Sequence, residues 1–163
     1  MEVRLFVLAS LPGTVARIKS FFRTKKDILV SGYSMLPGDA INHMIENPGD
    51  LLLFDDAFFN KNEIISFTEN LRLSKFSART ILYTGSTEPD YILRLINSGI
   101  TAIVNKKSER TKIHDAIRLV ASGSSYIDRH YNFRLFSSGV PAFPAAAAED
   151  MLSHDLLFNT TSF

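Results

Sequence analysis

The sequence predicts an α/β fold, a doubly wound sheet of five parallel strands with helices on both faces. Three observations carry that expectation. Five short apolar runs recur along the chain, stretches with helical spacing separate them, and proline–glycine pairs punctuate the exchanges. The runs do not alternate cleanly between apolar and polar residues, which is how strands covered on both faces read.

The first run is Val3 to Leu8, and Pro12-Gly13 then opens a stripe of Val15, Ile18, Phe21 and Phe22. Ile28 to Val30 is the second run. Pro37-Gly38 leads into a second stripe of Ile41, Met44 and Ile45, which Pro48-Gly49 closes. Leu51 to Phe54 is followed by Ile64, Ile65, Phe67 and Leu71, and Ile81 to Tyr83 by Ile92, Leu95 and Ile96. The last run, Ala102 to Val104, precedes Ile113, Ala116, Ile117 and Val120. Each stripe repeats at three to four residues, the period of a helix with one buried face. Asp90 and Ser108 are expected as helix caps, and Gly99 and Gly123 as helix ends. Such a unit fits the flavodoxin-like strand order 2-1-3-4-5, which places chemistry at the carboxyl ends of the strands.

The alternation stops near residue 128. The expected organisation is therefore one domain over 1–128, then a short helical extension, linker and tail over 129–163. The extension would run over 129–136. Residues 137–148 (SSGVPAFPAAAA) have linker composition, and residues 149–163 are too few to fold alone. At 45% hydrophobic and 21% charged residues the chain can bury a core. A net charge of +1 offers no electrostatic case for binding a polyanion directly. With no cysteine, disulfides, thiolate metal sites and cysteine catalysis are excluded. The N-terminal apolar stretch is badly flanked for a signal peptide, and no run approaches the roughly 20 residues that cross a bilayer. A cytoplasmic protein with no membrane partner is the expectation.

Three polar residues stand at strand ends: Asp55 after the third, Thr84 after the fourth and Lys106 after the fifth. Alone, an Asp there is a turn or cap residue. A parallel sheet, however, brings neighbouring carboxyl ends together, so a carboxylate, a hydroxyl and an ammonium are expected on one patch. That set suits reversible phosphorylation of a carboxylate. The Asp is the nucleophile, the Lys neutralises phosphoryl oxygens and the hydroxyl bonds to one of them. If no chemistry is done there, Lys106 and Asp55 are expected to pair and hold the top of the sheet together.

The stretch LRLINSGITAIVNKKSERTKIHDAIRLVASGSSYID resembles the receiver domain of two-component response regulators, closest to the NarL/LuxR-type subfamily. The likeness covers about residues 3–128, with Gly99 before the fifth strand and the ending from Ile117 to Asp128. It implies the CheY-like version of the flavodoxin-like fold. It also implies Asp55 as phospho-acceptor, Thr84 as switch hydroxyl and Lys106 as phosphate-binding lysine.

Receivers carry an acidic pair after the first strand that binds Mg²⁺. This chain has Ala9 and Ser10 there, degenerate metal positions that supply no charge for a hard cation. Asp56 is a poor substitute, because alternation along a strand turns it away from Asp55. Ile103 occupies the position of the aromatic that moves with the switch hydroxyl. No cofactor is therefore expected, and Mg²⁺ binding is in doubt. His43, His114, His130 and His154 are scattered without metal-ligand spacing, and no catalytic set marks an enzyme.

The resemblance thus implies an atypical receiver, a pseudo-receiver of a transcriptional regulator working through protein–protein contacts and dimerisation with weak or no phosphorylation. A homodimer is the expected assembly, and a sensor kinase or other regulator the expected partner. DNA would be reached only through a helix-turn-helix domain outside these residues. Two rivals stand beside it: a working response regulator phosphorylated on Asp55, and a stand-alone interaction module without DNA binding. Phe143, Leu152, Leu156, Leu157 and Phe158 in the tail are expected to pack on a neighbouring subunit.

Overall fold

Strand and helix alternate from Val3 to Ile127 in the computed structural model, which describes residues 2–129 and Tyr131. The order is β1 (Val3–Leu8), α1 (Pro12–Phe22), β2 (Ile28–Ser34), α2 (Pro37–Glu46), β3 (Leu51–Asp55) and α3 (Lys61–Leu73). It continues with β4 (Thr80–Thr84), α4 (Pro89–Asn97), β5 (Ala102–Asn105), α5 (Thr111–Ala121) and β6 (Tyr126–Ile127). All pairings are parallel, and the sheet order is β2-β1-β3-β4-β5-β6. The predicted order 2-1-3-4-5 is present, extended at one edge by a sixth strand. Two residues are too few to carry a periodic signal. β6 is made by the ladder instead, through Tyr126 N–H on the Thr101 carbonyl (2.8 Å) and Asp128 N–H on that of Ile103 (2.9 Å).

Pleating divides the core in two. Leu5, Val7, Leu53, Ile81 and Val104 face α1 and α5, while Phe6, Leu8, Phe54, Leu82 and Ile103 face α2, α3 and α4. β3 lies at the centre and all five of its residues are buried, which explains its unbroken apolar run. β2 extends to Ser34, beyond the predicted Val30. It is an edge strand and carries an irregularity opposite Leu5 and Phe6, where Ser31-Gly32 hides the pattern.

Three local expectations are corrected. In α2 the buried residues are Ala40 and Met44, whereas Ile45 is 57% exposed. Glu88 stands at the N-cap position of α4 without a side-chain capping bond, so Asp90 lies in the first turn, where a negative charge complements the helix dipole. Arg110 rather than Ser108 precedes α5, and the Ser108 hydroxyl donates to Asp128. Pro12, Pro37 and Pro89 do open their helices, consistent with a residue that needs no N–H partner there.

Beyond β6 the chain meets the sheet again at Tyr131. Tyr131 is 1% exposed; its hydroxyl donates to the Ser86 carbonyl and accepts from Asn105 Nδ2, both at 2.8 Å. Apart from Arg129 and Tyr131, the expected extension, the linker and the tail residues Phe143, Leu152, Leu156, Leu157 and Phe158 lie outside the described residues, as do His130 and His154. No described helix is long and apolar enough to cross a membrane.

Gly99 and Gly123 follow α4 and α5 with φ of 95° and 87°, a region that costs an L side chain about 1–2 kcal/mol. They differ in surroundings. A Cβ on Gly99 would lie 2.7 Å from Ser77 Oγ, whereas one on Gly123 would meet nothing within 4 Å. Gly99→Ala is therefore expected to destabilise the fold by about 2–3 kcal/mol and Gly123→Ala by about 1 kcal/mol, measured by urea denaturation. Equal losses would mean that the Ser77 contact has no energetic weight.

Candidate functional site

At the carboxyl end of the sheet, register decides which side chains meet. Asp55 pairs with Tyr83 across β3 and β4, and Thr84 pairs with Asn105 across β4 and β5. Register partners in a sheet share a face. Asp55, Tyr83 and Lys106 therefore point toward α1 and α5, and Asp56, Thr84 and Asn105 toward α3 and α4.

On the first face Asp55 is 3% exposed, and its Oδ1 accepts from Lys106 Nζ at 2.5 Å and from the Ala57 N–H at 2.9 Å. Lys106 also lies over the Tyr83 ring, 5.5 Å from its centroid. Burial and the Asp55 charge raise the Tyr83 phenol above its ordinary pKa, against the opposing charges of Arg110 and Arg17. The carboxylate and the ammonium expected from the sequence to act as acceptor and phosphate-binding group are thus in direct contact.

Thr84 is not part of that contact. Its hydroxyl donates to Asp56 Oδ2 at 2.6 Å and accepts from the Ser86 N–H at 3.1 Å. Tyr91 donates to the same Asp56 oxygen at 2.9 Å. Of the three polar residues expected on one patch, the structure brings Asp55 and Lys106 together and turns Thr84 to the opposite face. Reading strand ends without counting parity misses the Asp56–Thr84–Tyr91 cluster. The alternation that turns Asp56 away from Asp55 also turns Thr84 away, because Tyr83 is the residue in step with Asp55. Ile103 is fully buried on this second face.

Ala9 and Ser10, the positions expected from the sequence to be degenerate for a metal, bring no charge to the end of β1. Ala9 is fully buried and offers no polar side-chain atom. The Ser10 hydroxyl donates to the Ala57 carbonyl at 2.6 Å. A hard divalent cation takes several oxygen ligands, usually including more than one carboxylate. On this face the one carboxylate is that of Asp55 itself, held by Lys106. Asp56 faces away, and no trio of metal-ligating side chains assembles among the described residues. The residues present do not fit Mg²⁺. The two described histidines are likewise spoken for: His43 pairs with Asp50 at 2.8 Å and His114 with Asp27 at 2.9 Å.

Burial is the largest influence on Asp56 and raises its pKa above the ordinary carboxylate value, despite the bonds from Thr84 and Tyr91 and the charge of Lys106. The folded state therefore holds this proton more tightly than the unfolded chain. Stability from this group is greatest below the ordinary value near 3.8 and is lost as pH rises through the raised pKa. Asp56→Asn keeps an acceptor for both hydroxyls and removes that loss. The variant is expected to gain stability relative to the parent between about pH 4 and about pH 7, measured by urea denaturation at each. A stability difference that does not change with pH would show that Asp56 is not perturbed.

No family model matches the chain. A curated relative, the response regulator protein VraR of Staphylococcus saprophyticus, is 25% identical over 111 residues, which is 68% of this chain and 53% of the relative. The chain thus spans about half the length of the curated relative it matches. Among solved structures, a two-component response regulator of the LuxR family from Aurantimonas superposes with a TM-score of 0.75 at 16% identity, over 86% of this chain and all of that one. The isolated receiver domain of RcsB from Salmonella enterica, in the presence of phosphomimetic BeF₃⁻, gives 0.70 at 16% identity over 83% of this chain and 99% of that one. The signal receiver domain of NarL from Mycobacterium tuberculosis gives 0.61 at 21% identity over 75% and 98%. At these identities the structural likeness is one of fold. The chain thus has the fold of response-regulator receiver domains: its structural neighbours are of the LuxR and NarL kind, and the relative found by sequence is a response regulator.

Proposed function

We propose that this chain is the receiver domain of a response regulator and an atypical one, a pseudo-receiver that signals through protein–protein contacts and dimerisation with weak or no phosphorylation. The observation that carries the reading is the state of the acceptor pocket. Asp55 is bonded to Lys106 and the Ala57 N–H, Ser10 occupies the Ala57 carbonyl, and Ala9 brings no charge. A phosphoryl group arriving at Asp55 would meet one ammonium and no cation to bridge its oxygens, and would have to break a buried ion pair. In this reading Asp55 and Lys106 hold the top of the sheet, and Thr84 braces Asp56 on the other face.

The domain would work as a signalling module rather than a catalyst, in the cytoplasm. It would exchange contacts with a second copy of itself, and with a sensor kinase or another regulator. RcsB, one of its structural neighbours, is solved in complex with DNA. For this protein, DNA contact would need a helix-turn-helix outside the described residues, and residues 129–163 would serve as extension, linker and tail to the domain over 1–128. Packing of the tail's apolar residues on a neighbouring subunit is one route to assembly. The second reading, phosphorylation of Asp55, is favoured by the 2.5 Å approach of Lys106, since a basic group beside the acceptor is what that chemistry needs.

Incubation with acetyl phosphate and Mg²⁺, followed by intact mass, separates the two. The expected result is an unchanged mass. A phosphoryl adduct that disappears in Asp55→Asn would overturn the proposal in favour of a working acceptor.

A further inference from the structure

Between α1, α5 and the carboxyl ends of the sheet lies a cavity of about 250 Å³. Three cations reach it, Arg17, Lys106 and Arg110, against the single carboxylate of Asp55. Lys106 is committed to that carboxylate. Arg17 donates to the Thr14 hydroxyl at 3.3 Å, and neither guanidinium has a carboxylate partner among the described residues. The remaining wall is largely aromatic and aliphatic, including Phe21, Phe22, Tyr83 and Ile113. Phe58 lines the cavity as well, 80% exposed on a backbone with φ of 65°, where a bulky residue is rare.

An apolar hollow with a few convergent polar groups is the usual form of a small-molecule site. The charge balance selects an anion, because the two arginines have no internal carboxylate partner and a guanidinium matches a carboxylate with two parallel hydrogen bonds. The aromatic walls select an apolar body behind the anionic head. Size sets the limit. The volume is below the roughly 300 Å³ at which drug-sized pockets begin, so one ring and a short side chain fill it. We propose that this cavity is a binding site for a small aromatic carboxylate, held at its head by Arg17 and Arg110 and at its ring by Phe21, Phe22, Tyr83 and Phe58. The site rests on the reading that Asp55 stays paired with Lys106, since a phosphorylated Asp55 would reverse the local charge. Occupancy would then bridge α1 to α5 and supply an input that needs no phosphoryl transfer.

The test uses the full chain and para-fluorophenylacetate, followed by fluorine NMR. Saturable binding with a dissociation constant on the order of 0.1–1 mM is expected for a ligand this small. The neutral para-fluorophenylacetamide should bind at least about tenfold more weakly, as should the acid to Arg17→Gln and to Arg110→Gln. Lys107→Gln, exposed and outside the cavity, should bind like the parent. Circular dichroism of each variant checks that it is folded, and Phe58→Ala, altered at an exposed side chain, should weaken binding by loss of a ring contact. Absence of saturation, equal binding of acid and amide, or full binding by both folded arginine variants would overturn the site. Inorganic phosphate binding in place of the acid would also overturn it, by revealing a simple anion site. A phosphoryl adduct on Asp55 would count against the reading of the acceptor pocket, whereas failure of the unphosphorylated protein to bind the acid counts against this site alone.

Discussion

The buried ion pair between Asp55 and Lys106 depends on one geometric constraint, the parity of residues leaving a parallel sheet. Two strands in register present their paired positions to the same face. With Asp55 opposite Tyr83 and Tyr83 opposite Val104, the Asp55 carboxylate and the lysine two residues after Val104 must share the α1/α5 side. Once there, Asp55 is almost wholly out of water, and a buried carboxylate is tolerated only with a partner. Lys106 is that partner and keeps part of its own side chain wet, which lowers the cost of bringing it in.

The same constraint builds a second polar cluster, back to back with the first. Asp56, Thr84 and Asn105 take the opposite parity and meet Tyr91 from α4 and Tyr131 from beyond β6. Through Tyr131 and the Ser86 carbonyl, this cluster ties the loop after β4 to the segment after β6. The upper end of the sheet is therefore stitched on both faces by charged and hydroxyl groups that satisfy one another, and little is left over to receive a metal. What is left over is cationic: the two guanidinium groups on the α1/α5 side. The carboxyl end of the sheet thus has its polar groups closed on one another, with the charge of Arg17 and Arg110 left over in the cavity that Asp55 and Lys106 also line.

Much of this was legible in the sequence. The five buried runs and the helical stripes between them pointed to the strand order, because a parallel sheet leaves so few ways to connect such elements. Gly99 and Gly123 could be read as helix ends because only a residue without Cβ takes that backbone readily. The pairing of Asp55 with Lys106 followed from their places at strand ends. The position of Thr84 did not, although parity was available to show it. β6 could not be read, since its two residues gain their identity from hydrogen bonds to β5 rather than from any pattern of their own. The exposure of Ile45 was equally hidden: helical period says which residues share a stripe, but α2 packs on an edge of the sheet, and that edge covers only the Ala40–Met44 side. The cavity draws its cations from α1, the end of β5 and the approach to α5, a convergence that no local motif announces.

The central claim is that missing negative charge beside β1 keeps the acceptor pocket closed to a divalent cation. Titration of Mg²⁺ against the parent and against the double variant Ala9→Asp/Ser10→Asp, followed by amide chemical shifts of Asp55, Ala57 and Lys106, tests it most directly. The expected result is no saturable shift in the parent and a saturable one in the variant, where two carboxylates join Asp55. Saturable Mg²⁺ binding by the parent at these same amides would contradict the claim.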